Sequence, residues 1–301
     1  MSRTHRNHGL SRDDRPLLMV QEVNSTGYGV SIEVTEVVLQ TNTEHQHVLI
    51  AETNAFGRVL FLDGLVQSAE SDEEIYHETY VHPATFAHGD VKRVLIGGTG
   101  EGAILREVLK HPGVEKVVCV DVDREVVEAC MKHLGKWHQG AFEDARVELQ
   151  WRDINEALED FAPGEFDLVI MDVTEPVEGG PAEELFSAAF FDRVKRVMGD
   201  HGVLVVQAGE IDPWGMEQSR YVVAELEKSF GYVQLAHCFV PSFMAQWGAA
   251  ICSKHADFVM LPGDLAARID AVGRENFLVY DEVWHQACTH LPRLLERRLR
   301  E

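Results

Sequence analysis

Five short strand-like runs, four of them apolar and each ending on glycine or a carboxylate, dominate the middle of the chain. They read "KRVLIGG", "EKVVCVDVD", "RVELQWRD", "FDLVIMD" and "HGVLVVQAG". An amphipathic stretch of helical period follows each, from "GAILREVLKH" to "MEQSRYVVAELEKSFG". Strands without polar alternation are buried on both faces, and helices between them return the chain to the same sheet edge. The pattern predicts an α/β fold with a parallel sheet covered on both sides. "VQLAHCFV" and "GAAICSK" are expected to close it as an antiparallel pair.

Upstream the period changes to two. "YGVSIEVTEVVLQ" and "HQHVLIAET" carry β-branched residues in partial alternation, and "GRVLFLDG" ends on an Asp-Gly turn signal. These predict a small antiparallel sheet. "SDEEIYHETYVHPATFAH" then reads as a helix, with Ser71 as N-cap and Glu74 completing a capping box. The expected organisation is a disordered tail over residues 1–18, an N-terminal β domain over 19–70 and a catalytic α/β domain over 71–301.

Fifty acids against 27 bases give a formal charge of -23. Phosphate backbones want a basic face, so a nucleic-acid partner is excluded, whereas a cationic ligand is favoured. The five cysteines include no C-x-x-C pair, and they read as reduced, buried thiols. The polar N-terminus has no apolar signal core, and no run approaches the ~20 apolar residues of a membrane helix. A cytoplasmic protein with no membrane contact is the expectation. His45 and His47 could share a strand face but lack a third ligand, so no metal is expected.

"VLIGGTGEGA" joins the first of the five strands to its helix. Gly98, Gly100 and Gly102 allow positive φ and close approach of a ligand to the backbone. Glu101 among them would repel a pyrophosphate and suits a neutral or cationic nucleoside. Asp121, 19 residues beyond Gly102 and at the end of the next strand, is positioned for ribose hydroxyls. Asp153 ends the strand after that, within reach of an adenine amino group. The set suggests a nucleoside with free ribose hydroxyls, of the S-adenosyl kind.

Three long motifs, "GRVLFLDGLVQSAESDEEIYHETYVHPA", "VLIGGTGEGAILREVLKHPGVEKVVCVDVD" and "FDLVIMDVTEPVEGGP", together resemble the polyamine aminopropyltransferases, the spermidine and spermine synthase family. The resemblance runs from about Gln46 to Ser253. It implies a Rossmann-like class I S-adenosylmethionine-dependent fold behind a small N-terminal β domain. The implied cosubstrate is decarboxylated S-adenosylmethionine, with no cofactor or metal, and the implied assembly is a homodimer or homotetramer. "YHETYVHPA", "PVEGGP" and "QAG" with "PSFMAQWG" are most similar to thermospermine synthases and bacterial relatives. "KWHQGAFED" resembles thermophile enzymes that use agmatine, so the acceptor stays open between spermidine (giving thermospermine or spermine), putrescine (giving spermidine) and agmatine.

By the resemblance, Asp172 is the catalytic base that takes a proton from the attacking amine. Tyr76, His77, Glu175 and Phe243 are implied at the acceptor, and Gln46, Gly98, Gly100, Glu101, Gly102, Asp121 and Asp153 at the donor. Glu101 would pair with the donor's ammonium and repel the carboxylate of ordinary S-adenosylmethionine. The chain departs from the family pattern at Glu175, where Asp is usual, at Thr99, where Gly is usual, and at Phe243, where Tyr is frequent. A methyltransferase on the same core and a non-catalytic polyamine or nucleoside binder are the competing readings. Glu101 with the paired acids argues against the first, and a retained Asp172 against the second.

Overall fold

The structure is a computed structural model that describes residues 18–23, 27, 29–174 and 183–301. The tail expected over 1–18 therefore falls almost wholly outside the described residues, as does Glu175.

The N-terminal part is a five-stranded antiparallel meander: β1 (Leu18–Val23), β2 (Gly29–Asn42), β3 (His47–Thr53), β4 (Gly57–Leu62) and β5 (Leu65–Ala69). The Asp-Gly signal forms the β4–β5 turn, with φ of 52° at Asp63 and 85° at Gly64. Two positive φ values in sequence match the twist of a tight hairpin.

Helix α1 (Glu73–His88) leads into the second sheet. Its strands are β6 (Arg93–Gly97), β7 (Lys116–Asp121), β8 (Val147–Trp151), β9 (Phe166–Met171), β10 (Met198–Glu210), β11 (Tyr232–Val240) and β12 (Ala245–Ser253). The helices after α1 are α2 (Ala103–Leu109), α3 (Arg124–His133), α4 (Gly135–His138), α5 (Ile154–Asp160), α6 (Ala188–Val197), α7 (Glu217–Ser229), α8 (Leu265–Val272), α9 (Glu282–Cys288) and α10 (Arg293–Leu299). The strand order is β11-β12-β10-β9-β6-β7-β8; the run from β10 to β8 is parallel, and β11 and β12 close it as the expected antiparallel pair.

Alternate strand residues feed two cores. Leu95, Val118, Val169 and Leu204 pack with α5, α6 and α7, while Val94, Ile96, Val117 and Ile170 pack with α1 and α2. This two-sided burial is why the runs of β6, β7, β9 and β10 lack polar alternation. The first sheet docks through Val48, Ile50 and Leu60 onto Val126, Cys130, Leu134 and Trp137 of α3 and α4 and the turn between them. Each such buried side chain contributes roughly 1.5–3 kcal/mol of transfer free energy. That interface carries the β2–β3 hairpin over the carboxyl ends of the parallel strands. All five cysteines are buried and free.

The start of α1 differs from expectation. Asp72, not Ser71, is the N-cap residue, and no side chain caps the helix. Both Asp72 oxygens turn instead to Ser242, accepting from its amide at 2.6 Å and its hydroxyl at 3.0 Å. A partner 170 residues away displaces the local capping box.

Candidate active site

After β6 the chain proceeds to β7 and β8 on one side, then returns to place β9 on the other. The carboxyl ends of β6 and β9 thus form a topological switch point, where open α/β sheets leave a ligand crevice. Gly98 follows β6 and Asp172 follows β9. The Asp172 amide donates to the Gly97 carbonyl at 2.9 Å. Gly98 has φ of 83°, and a Cβ there would lie 2.1 Å from the Asp172 carbonyl oxygen. Glycine is required at this junction on both counts.

The Tyr76 hydroxyl donates to Asp172 Oδ1 at 2.7 Å, and Tyr80 donates to the Met171 carbonyl at 3.1 Å. Burial raises the Asp172 carboxyl to about 6; the Tyr76 bond and the nearby His77 oppose the rise, and Glu101 adds to it. Asp172 is therefore ionised at neutral pH yet basic enough to accept a proton. Phe243 meets the Tyr76 ring edge-on at 5.9 Å and Trp247 at 5.1 Å, which makes an aromatic wall beside the acid.

The glycine loop is held from β7. Asp121 Oδ2 accepts from the amides of Thr99 at 2.8 Å and Gly100 at 3.2 Å, and Oδ1 accepts from the Asp123 amide at 2.9 Å. An ionised carboxylate offers about four acceptor sites, so room remains for a ligand hydroxyl. Burial pushes the Asp121 carboxyl up, against these three amides. Gly102, at φ of 81°, caps α2. The Thr99 hydroxyl is buried and has no hydrogen-bond partner.

Gln46 lies above the same edge. Its amide nitrogen donates to Asp123 Oδ2 at 3.0 Å, beside the Thr43 hydroxyl at 2.6 Å. Asp123 also caps α3 through Val126. Asp153 is exposed at the end of β8 and caps α5, accepting from the Asn155 amide at 2.7 Å.

His77 is 2% exposed, and both its ring nitrogens face carboxylates: Nδ1 meets Glu73 at 2.8 Å and Nε2 meets Glu101 at 2.9 Å. Burial alone would lower its pKa, but the two acids outweigh it and raise the ring to about 10. Glu73 is gripped in turn by both terminal nitrogens of Arg106, at 2.8 and 2.9 Å. Glu73 and Arg106 read in sequence as ordinary helix charges; their only signal was the side-by-side placement of α1 and α2, which periodicity does not give. The described residues also contain an Asp200, His201 and His255 group, at the opposite end of the strands from this site.

The arrangement thus joins a buried base, a second acid, an aromatic wall and a glycine loop. It can hold a cationic nucleoside and deprotonate an amine. The family model described as "Spermine/spermidine synthase domain" matches residues 73–261, and "Spermidine synthase tetramerisation domain" matches 19–70. Polyamine aminopropyltransferase 2 of Pseudomonas aeruginosa is 43% identical over 221 residues, 73% of this chain and 63% of that relative. Thermospermine synthase ACAULIS5 of Arabidopsis thaliana is 38% identical over 230 residues, 75% of this chain and 66% of that relative. A spermidine synthase solved in complex with the transition-state analogue AdoDATO superposes with a TM-score of 0.87 at 29% identity, covering 96% of this chain and 98% of that one. The chain belongs to the spermine/spermidine synthase family.

Proposed function

We propose that the chain is a polyamine aminopropyltransferase that moves the aminopropyl group of decarboxylated S-adenosylmethionine onto an amine of spermidine, releasing methylthioadenosine and a tetraamine. The carrying observation is the Asp172 carboxylate, bonded by Tyr76 and set at the switch point beside the glycine loop. An alkylammonium with a pKa of ~10 has no lone pair, so the attacking nitrogen must lose a proton before or during transfer. Asp172 accepts that proton as the nitrogen forms its bond to the aminopropyl carbon. The carbon–sulfur bond breaks, and its electron pair neutralises the sulfonium. No external oxidant, metal or prosthetic group enters this balance.

In this reading Tyr76, Phe243 and Glu175 shape the acceptor side. Glu101 receives the donor's ammonium, and Gln46, Asp121, Asp153 and the three loop glycines surround its nucleoside. The similarity to ACAULIS5 supports spermidine as acceptor, with thermospermine as product. The match of residues 19–70 to a tetramerisation model supports a homotetramer. None of the described helices is long and apolar enough to cross a membrane, and a cytoplasmic location is part of the proposal.

The test is incubation of the purified protein with decarboxylated S-adenosylmethionine and, separately, putrescine, agmatine, spermidine and norspermidine. Mass spectrometry follows methylthioadenosine and the new amine, with chromatography separating spermine from thermospermine. Thermospermine from spermidine is the expected result. Product from agmatine alone would replace the acceptor, and no methylthioadenosine from any amine would reject the activity.

A further inference from the structure

Neighbouring residues of α1 hold the two acids of the site: Tyr76 holds Asp172 and His77 holds Glu101. The His77 contacts constrain its charge. An ionised carboxylate only accepts hydrogen bonds, so a ring nitrogen facing one must donate. Glu73 is ionised, because Arg106 donates to both its oxygens. With an ionised Glu101 on the other nitrogen the ring donates twice, as an imidazolium, in keeping with the raised pKa of His77. Arg106 lies on α2, the helix that opens directly after Glu101, and its own Nε donates to Glu107 at 2.7 Å. Glu101, His77, Glu73 and Arg106 therefore form a chain of alternating charge between α1 and α2.

We propose that His77 is a positioning residue for aminopropyl transfer: bridging Glu73 and Glu101, it fixes the Glu101 carboxylate toward the donor's ammonium and screens Asp172 from the charge of Glu101. The proposal rests on the aminopropyltransferase reading. The ring bonds Glu101 Oε1, which fixes the plane of the carboxylate and leaves acceptor sites, Oε2 among them, for the ligand. The groups facing His77 are Asp72, Glu73, Glu74 and Tyr76 from α1 and its cap, Glu101 and Arg106 from the loop and α2, and Asp172 from the end of β9. Acids outnumber cations in that set, so removing the imidazolium leaves Asp172 beside uncompensated negative charge. A carboxyl so placed holds its proton to higher pH.

Two substitutions separate geometry from charge. In His77→Gln, the amide can still reach Glu101 but carries no charge. In His77→Asn, the amide can reach Glu73 and releases Glu101. Binding of decarboxylated S-adenosylmethionine and of methylthioadenosine, which lacks the aminopropyl arm, is measured by calorimetry, and kcat/KM is followed against pH. His77→Asn is expected to weaken the decarboxylated donor at least tenfold while methylthioadenosine changes less than twofold. His77→Gln is expected to move the acid limb of kcat/KM to higher pH with a smaller loss of donor affinity.

Equal losses for both ligands, or an unmoved limb, would overturn the proposal. If neither variant folds, nitrogen NMR of the wild-type ring decides: two protonated nitrogens at pH 8 support the bridge, and a neutral ring rejects it. A wild-type protein that does not bind the decarboxylated donor would reject the activity itself, and the role of His77 with it. Donor binding by wild type with unchanged variants would reject the His77 role alone.

Discussion

The Tyr76 hydroxyl donates to Asp172 Oδ1 across 2.7 Å and so joins the first turn of α1 to the carboxyl end of β9. That bond favours the charged carboxylate, whereas burial favours the protonated one; burial wins in part and leaves Asp172 titrating near 6. A base must be ionised to act, so kcat/KM is expected to rise with pH through about 6. Tyr76→Phe removes the stabilising bond and should move this limb to higher pH. The pH profiles of the two proteins, compared on one acceptor, cancel the acceptor's own ionisation. Superimposed limbs would refute the coupling.

Asp172→Asn keeps the shape of the side chain and removes the proton acceptor. Turnover should fall at least tenfold, within the ~10²–10⁴-fold range of general-base catalysis, with donor binding retained. Calorimetry of donor binding and steady-state turnover make the check. Unchanged turnover would show that the proton leaves by another route.

Glu101→Gln removes the charge that separates an ammonium arm from an amino-acid arm. The ratio of affinities for decarboxylated and ordinary S-adenosylmethionine should narrow at least tenfold, which corresponds to about 1.4 kcal/mol. Competition of the two nucleosides for one site measures it. An unaltered ratio would reject charge repulsion as the source of discrimination.

Gly98→Ala and Gly100→Ala form a matched pair. Both positions have positive φ, 83° and 53°, but only at Gly98 does a Cβ collide with backbone, the Asp172 carbonyl oxygen. Gly100→Ala should cost about 1–2 kcal/mol of left-handed strain. Gly98→Ala should cost more and should displace the base, lowering turnover over tenfold. Thermal melts and turnover of the two variants, side by side, test the difference.

The His77 ring is raised from an ordinary 6.5 to about 10, despite burial, by Glu101 and Glu73. A folded-state value above the unfolded one stabilises the fold fully below about pH 6.5, and the contribution drains away as pH climbs toward 10. Melting temperature should therefore fall between pH 7 and pH 10 more steeply in wild type than in His77→Gln. Scanning fluorimetry across that range is the measurement, and parallel slopes would contradict it.

Much of this architecture is written in local pattern. The runs ending at Gly97, Asp121 and Met171 are apolar through their middles because both sheet faces are covered, and the Asp63-Gly64 turn follows from backbone preference alone. The loop glycines and the strand-end acids were legible for the same reason: strand ends fix where they stand. What local pattern missed was polar and long-range. Ser71 and Glu74 spell a capping box, yet Asp72 turns away to Ser242. The bridge His77 makes between two acids, one of them on a different element, carries no local signature. Glu73 and Arg106 carry no motif, and only the packing of α1 on α2 makes them a pair.

Phe243 packs both with the core of the first sheet and with the face of the second that carries α1. A ring shared by two cores obeys reciprocity: a ligand that binds better when Phe243 is seated must itself seat the first sheet, by the same free energy. Occupancy of the crevice and attachment of the N-terminal sheet are then two readings of one equilibrium. Any contact made by a partner with that sheet would then tune acceptor affinity without touching the acceptor.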